Sequence, residues 1–196
     1  EGGEVAPGPE AAHGHDAESR AWTGSIDWVV LGAGLQADGN DRTPLAIPLG
    51  IHIDGLAVIM FAMVTFIATL IHIYSMGYMS DDPGYHRFFA YLSLFCFSML
   101  GLVASASIFM VFVFWELVGV CSYLLIGFWY EEKANCDAAN KAFIVNRVGD
   151  FAFILGALLL VVTFNSLDFN TIALAAKAMP VEATFGTLSL ITLLLF

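Results

Sequence analysis

Long apolar stretches separated by short polar segments dominate most of the chain. Residues 53–74 form a 22-residue stretch whose only strongly polar members are Asp54 at its start and His72 near its end. This length suits one membrane-spanning helix, which needs about 20 residues. The polar segment 75–87, which contains a Pro-Gly dipeptide, indicates a connection outside the apolar layer.

The next apolar run, residues 88–130, is 43 residues long and carries one charge. As a single helix it would measure about 65 Å at about 1.5 Å per residue, about twice the thickness of a hydrocarbon core. It must therefore fold back. Its weakest apolar point is the Ser-Ala-Ser sequence at 105–107, which predicts two helices, 88–106 and 108–130, joined tightly.

A polar connection at 131–140 precedes a fourth predicted span at 141–163, and a fifth begins near residue 184 and is cut short at residue 196. Because the chain also begins without Met, we expect it to be a fragment. The predicted fold class is all-α: a polytopic transmembrane helix bundle with four full spans and part of a fifth.

Composition agrees with a membrane environment. Of the residues, 59% are hydrophobic and only 13% are charged, and the mean hydropathy is +0.79. Soluble globular proteins carry about 25% charged residues, and a water-facing surface needs them. The solvent around most of this chain is therefore predicted to be lipid.

The first 50 residues differ from the rest. Residues 1–42 hold eight acidic side chains against two arginines, a net charge of −6 out of −11 for the chain. Gly and Pro are frequent and no regular period is sustained, so we interpret 1–50 as an acidic, Gly/Pro-rich loop. Trp22 and Trp28 suggest that part of it lies near a membrane interface, where Trp is enriched. An acidic balance without a basic stripe argues against nucleic acid as a partner.

Basic residues predict the orientation. If the spans alternate, the connections 75–87 and 131–140 share one side of the membrane and hold, with the adjoining Lys141, three cations; the opposite short connection holds Lys177. Cytoplasmic loops carry the excess of Lys and Arg. The N-terminal segment is therefore expected on the non-cytoplasmic side.

Glu116 is the residue that most needs an explanation, because it lies eight residues into the predicted span 108–130. A charge at mid-helix costs about 2.5–3.5 kcal/mol on insertion scales. One interpretation is a proton-binding carboxylate facing a hydrated cavity. The alternative is a structural carboxylate satisfied by neighbouring helices.

Arg147 and Asp150 lie three positions apart in the fourth predicted span, and residues at i and i+3 share a helix face. They are therefore expected to pair. Either the pair only lets this helix pack, or it forms a second charged group beside Glu116; periodicity favours neither. Lys141, at the start of the span, is more simply an interfacial anchor whose side chain reaches toward the polar layer.

The sequence contains no pattern typical of a cofactor or metal site. Its three cysteines have neither metal-binding nor disulfide spacing. The histidines near the helix ends lack the close spacing of a zinc site, and there is no Gly-rich phosphate loop. We therefore predict no cofactor and no metal in this chain.

Two strings are specific enough to indicate a family. They are Trp-Glu-x-x-Gly-x-Cys-Ser-Tyr-Leu-Leu-Ile-Gly-Phe at 115–128 and Asn-Arg-Val-Gly-Asp at 146–150. With their surroundings they resemble the antiporter-like, proton-pumping subunit L (chain 5) of respiratory NADH:quinone oxidoreductase, complex I. The similarity runs from about residue 22 to 196 and corresponds to that family's third to sixth helices and part of the seventh.

This resemblance implies roles that the residue pattern alone does not give. Glu116 would be an essential member of a proton pathway, paired with a lysine beyond residue 196. Arg147 and Asp150 would take part in proton transfer or adjust the glutamate. The partners would be other membrane-arm subunits in a bacterial inner membrane, with NADH, FMN, iron–sulfur clusters and quinone bound elsewhere in the complex.

Three other functions remain open at the level of sequence. The homologous large subunit of a multisubunit sodium/proton antiporter is the first alternative, and a membrane-bound hydrogenase subunit belongs to the same set. A non-transporting scaffold subunit is the third, and it predicts tolerance of neutral replacements at Glu116.

Overall fold

A computed structural model describes residues 21–31, 45–178 and 186–195. In these ranges the chain forms two strands and six helices: β1 Trp22–Leu31, β2 Leu45–Ile53, α1 Gly55–Tyr78, α2 Tyr85–Ala104, α3 Ile108–Ile126, α4 Lys133–Phe164, α5 Phe169–Ala178 and α6 Thr187–Leu195. Residues 1–20 and 32–44 of the predicted acidic loop, and the start of the fifth predicted span at 184, lie outside the described residues.

Four helices, α1 to α4, are long and apolar enough to cross a membrane. This confirms the predicted class of a polytopic helical membrane protein. Most of their surface is not buried within the chain; Leu56 and Phe66 of α1, for example, remain 69% and 66% exposed. Apolar side chains left uncovered on a spanning helix are suited to contact lipid or a neighbouring helix.

The predicted bounds of α4 need correction, because the helix begins at Lys133, inside the segment 131–140 that was expected to be a connection. At about 1.5 Å per residue its 32 residues extend about 48 Å, longer than a hydrocarbon core of about 30 Å. The helix therefore continues beyond the apolar layer, and its first two turns carry polar side chains because they are outside that layer.

The expectation of a loop over residues 1–50 also differs from the structure. β1 and β2 pair as an antiparallel two-stranded sheet, with a register irregularity between Asp27 and Val29. Pairing satisfies backbone groups that would otherwise need water. Pro48 and Gly50 lie within β2, and both residues are disfavoured in strands, which is why the sequence pattern did not predict this element.

The turn between α2 and α3 is tied to two other parts of the chain by backbone hydrogen bonds. Ala106 N–H donates to Gly50 O of β2 at 3.1 Å, and Ile108 N–H donates to Leu167 O beyond α4 at 2.9 Å. The fully buried Ser107 is the N-cap residue directly before α3, and its hydroxyl donates to Pro48 O at 3.2 Å. We call this meeting of β2, residues 105–108 and Leu167 the three-way junction.

The main apolar core lies at the same end of the bundle. It contains Leu45 of β2, Leu160 and Val161 of α4, Leu167, and Ile191 of α6. Farther from this end, the Phe112 and Phe153 rings stack with centroids 5.7 Å apart, which fixes α3 against α4. These contacts hold together the two helices that carry the charged residues.

Candidate functional site: a charged cluster between two spanning helices

The three charged residues singled out from the sequence meet between α3 and α4. Arg147 Nη1 forms an ion pair with Glu116 Oε2 and a second with Asp150 Oδ2 at 3.2 Å. The pairing expected from the i, i+3 spacing of Arg147 and Asp150 is therefore present. Glu116, Arg147 and Asp150 form what we call the charged cluster, in which one cation is shared by two carboxylates.

Burial differs within the charged cluster. The side chains of Arg147 and Glu116 retain 29% and 24% of their exposure, whereas that of Asp150 retains 9%. Charges removed from water need partners, since an isolated ion in an apolar medium is very unfavourable. The formal charge of the cluster, with both carboxylates ionised, is −1, so the guanidinium compensates only one of them.

Neighbouring side chains hold Arg147 in place. Its guanidinium lies over the Phe143 ring, 4.4 Å from the centroid, and Phe143 contacts the Tyr123 ring at 5.4 Å between centroids. A cation above an aromatic face is stabilised by the ring quadrupole. α3 passes close to the guanidinium at Gly119, where a Cβ would lie 3.7 Å from Arg147 Nη2, an ordinary van der Waals contact.

Asp150 has a second donor that sequence reasoning missed. The indole Nε1–H of Trp115 donates to Asp150 Oδ1 at 3.0 Å, across 35 residues of sequence. Trp115 directly precedes Glu116 on α3. The two oxygens of Asp150 thus receive hydrogen bonds from different helices, Oδ1 from α3 and Oδ2 from Arg147 on its own helix.

A cleft of about 540 Å³ opens beside the charged cluster, between α3, α4 and α6. Trp115 and Asp150 line it together with Ser122 and Asn146, and leucines of α6 form another wall. The cleft is large enough to hold several water molecules, because one needs about 30 Å³. Of the charged cluster, Asp150 is the member that lines this space.

Lys141, the remaining predicted site residue, is not part of the charged cluster. It is exposed, and among the described residues it joins no ion pair. It precedes Arg147 by six residues, about 9 Å along α4 at 1.5 Å per residue. This position is compatible with an interfacial anchor.

A second polar cluster, also missed by sequence reasoning, ties the connection before α2 to the segment after α3. Trp129 Nε1–H donates to Asp82 Oδ2 at 2.8 Å, and Gly84 N–H donates to Asp82 Oδ1 at 2.6 Å. Arg87 donates to Phe128 O at 3.1 Å. The Trp129 indole, followed by the Gly84 amide, holds the pKa of Asp82 below its ordinary value.

No group of three or more His, Cys, Asp or Glu side chains suited to a metal ion occurs in ranges 21–31, 45–178 and 186–195. The charged cluster itself contains one cation and two carboxylates. The cluster pairs charges between helices α3 and α4.

Comparison with known proteins identifies the family. Residues 42–89 match the family "NADH-Ubiquinone oxidoreductase (complex I), chain 5 N-terminus". Residues 105–196, which include the whole charged cluster, match the family "NADH:quinone oxidoreductase/Mrp antiporter, TM". The chain belongs to the chain 5/subunit L family of NADH:quinone oxidoreductases.

Two relatives within this family have the same residue as this chain at about half of the aligned positions. The chain is 58% identical over 124 residues to NAD(P)H-quinone oxidoreductase chain 5 of Synechocystis sp., covering 63% of this chain and 18% of that protein. It is 49% identical over 148 residues to NADH-quinone oxidoreductase subunit L of Rickettsia typhi, covering 74% and 23%. The chain thus spans about a fifth of the length of the curated relatives it matches.

The fold is also that of a solved antiporter-type complex. The structure of the Mrp complex from Dietzia sp. contains a chain that aligns with a TM-score of 0.70, covering 89% of this chain and 17% of that one. At 24% sequence identity this likeness shows a shared fold. It confirms the antiporter-like architecture expected for the subunit L family.

Proposed function

We propose that this chain is part of a proton-translocating membrane-arm subunit of an NADH:quinone oxidoreductase. The observation that carries the proposal is the charged cluster, because two carboxylates and one shared guanidinium meet between spanning helices α3 and α4. Charged residues in spans are rare, and they usually mark ion or proton paths. Family membership supports the same function.

In the proposed mechanism Glu116 alternates between protonated and ionised forms. Arg147 contacts the glutamate directly, so a change in their distance changes the affinity of Glu116 for a proton. Quinone reduction elsewhere in the complex would drive that change. For net pumping, the two states of the complex must interact differently with the charged cluster.

Redox chemistry is assigned to partner subunits. NADH, FMN, iron–sulfur clusters and quinone would bind there, while this chain would contribute the membrane path and contact other membrane-arm subunits and lipid. We further propose a bacterial inner membrane as its location, with the N-terminal segment on the non-cytoplasmic side. The excess of cations in the connections 75–87 and 131–140 supports that orientation.

The deciding experiment is NADH-driven acidification by membrane vesicles that carry Glu116→Gln in the full-length protein. Glutamine keeps the size of the side chain and removes its proton-binding carboxylate. We expect reduced pumping per electron with assembly intact. Glu131→Gln is the matched control, because Glu131 is an exposed glutamate in the connection between α3 and α4. This control variant should leave the number of protons pumped per electron unchanged.

Other outcomes would favour the other functions. Unchanged pumping per electron in the Glu116→Gln vesicles would show a scaffold rather than a transporter. The second family description also names the Mrp antiporter, which favours a sodium/proton antiporter as the second candidate. Sodium/proton exchange that depends on this chain, without any contribution to NADH oxidation, would establish that function instead.

A further inference from the structure

We propose that Trp115 is a positioning residue for proton translocation: its indole N–H orients the Asp150 carboxylate and thereby sets how Arg147 is shared between Asp150 and Glu116. This inference rests on the function proposed above. The contact that carries it is the 3.0 Å hydrogen bond from Trp115 Nε1 to Asp150 Oδ1.

The bond closes a ring of contacts between α3 and α4. Trp115 and Glu116 are adjacent on α3, and Asp150 and Arg147 are three residues apart on α4. Trp115 holds Asp150 Oδ1, Asp150 Oδ2 accepts from Arg147 at 3.2 Å, and Arg147 pairs with Glu116. Any movement of α3 relative to α4 therefore acts on both carboxylates together.

The indole restricts what Asp150 can do with its second oxygen. A carboxylate that is free to rotate can accept from a guanidinium through both oxygens, and this bidentate pairing is stronger than a single bond. With Oδ1 directed toward Trp115 on α3, Asp150 meets Arg147 through Oδ2 alone. Arg147 then remains able to pair with Glu116.

The burial of Asp150 makes the hydrogen bond from the Trp115 indole important. Asp150 as a whole residue is 7% exposed, so a water molecule from the cleft would have to take the place of the indole N–H to replace a missing hydrogen bond. A buried polar atom left unsatisfied is strongly unfavourable. Trp115 itself is 52% exposed. Within this chain the ring is therefore only partly packed, and the hydrogen bond to Asp150 is its specific contact.

The test separates the hydrogen bond from the shape of the ring. In the full-length protein within the assembled complex, Trp115 is replaced by benzothienylalanine, which has sulfur in place of the indole N–H and nearly the same shape. Trp115→Phe is made in parallel. NADH-driven acidification is measured in vesicles, and NADH oxidation by an artificial electron acceptor gives the amount of assembled enzyme.

We expect the benzothiophene replacement to slow acidification about tenfold, the scale of losing a hydrogen bond to a charged group, and Trp115→Phe to slow it at least as much. The matched control is the same replacement at Trp129, whose indole also donates to a carboxylate but outside the spans; acidification should there be unchanged.

If the benzothiophene variant acidifies at the wild-type rate while Glu116→Gln does not, Trp115 acts by packing alone and this inference is wrong, although the proposed function stands. If Glu116→Gln pumps normally, the proposed function fails and this inference fails with it. If Trp129 responds as strongly as Trp115, loss of any indole donor slows the enzyme and the specific role of Trp115 is overturned.

Discussion

Removing Arg147 is the perturbation whose magnitude follows most directly from the structure. Arg147→Met keeps the length of the side chain and removes the charge. The charged cluster then changes from a formal charge of −1 to −2, with two carboxylates on facing helices and no cation between them. We expect the subunit to be destabilised and to accumulate at a lower level in membranes.

The size of the effect can be estimated from one of the two ion pairs. At an effective dielectric constant of about 20, unit charges 3.2 Å apart, as for Arg147 and Asp150, attract by about 5 kcal/mol. The Arg147 side chain keeps 29% of its exposure, which weakens this attraction. Breaking a buried pair by deleting one partner typically costs about 3–5 kcal/mol, so we expect about 3 kcal/mol.

The assay is the heat stability of the detergent-solubilised complex, together with the amount of the subunit in membranes. Arg147→Met should lower both. Adding Asp150→Asn restores the cluster charge to −1 and should recover much of the stability without recovering pumping. Lys141→Met is the control, because this exposed lysine on the same helix has no ion pair among the described residues. Unchanged stability in Arg147→Met would show that this guanidinium does not stabilise the two facing carboxylates.

Two further predictions concern other parts of the structure. The lowered pKa of Asp82 means that its hydrogen bond to Trp129 stabilises the fold above the ordinary pKa of 3.8. This contribution is lost as the pH falls through the lowered pKa. The heat stability of Trp129→Phe should therefore lie below that of the wild type at neutral pH, and the two should converge once the solution is acidified below the lowered pKa. A Cβ at Gly101 would overlap the Phe114 ring, whereas one at Gly77 meets nothing within 4 Å. Gly101→Ala should cost about 1–3 kcal/mol in a heat-stability measurement. Gly77→Ala should cause no loss of stability, because alanine is the better helix former.

The spans were predictable because hydrophobic length is a local property of the chain. The division at 105–107 was found from three small residues, and the structure ends α2 at Ala104 and begins α3 at Ile108. Ser107 supplies the reason, since its hydroxyl accepts from Met110 N–H at 3.3 Å and caps the helix. A local signal was therefore sufficient for this boundary.

The start of α4 was not predictable from hydropathy, because its first turns are polar and carry Lys133 and Asp137. Hydropathy measures where lipid begins, while a helix ends where its backbone hydrogen bonds end. The paired strands were missed for another reason: pairing between residues 22–31 and 45–53 is non-local. A strand containing Pro48 gives little indication of its partner.

The charged cluster was only partly predictable. Spacing brought Arg147 and Asp150 together, but the contacts of both residues with α3 depend on how two helices pack. The Trp115 bond to Asp150 spans 35 residues, and no periodicity within one helix encodes such a contact. Trp115 looked like an ordinary apolar residue of a spanning helix.

The three-way junction also constrains any movement of α3 relative to α4. The Ile108 to Leu167 hydrogen bond ties the beginning of α3 to the chain just beyond α4, so a tilt of α3 that also shifted the Phe112–Phe153 stack would turn about this end as a pivot. Glu116 lies eight residues from the pivot, about 12 Å at 1.5 Å per residue. A tilt of about 5° at the pivot displaces the Glu116 carboxylate by about 1 Å, which is more than the range of about 0.5 Å over which an N–H···O bond persists. A small rotation at the junction end of the bundle would therefore be sufficient to make or break the Glu116–Arg147 ion pair.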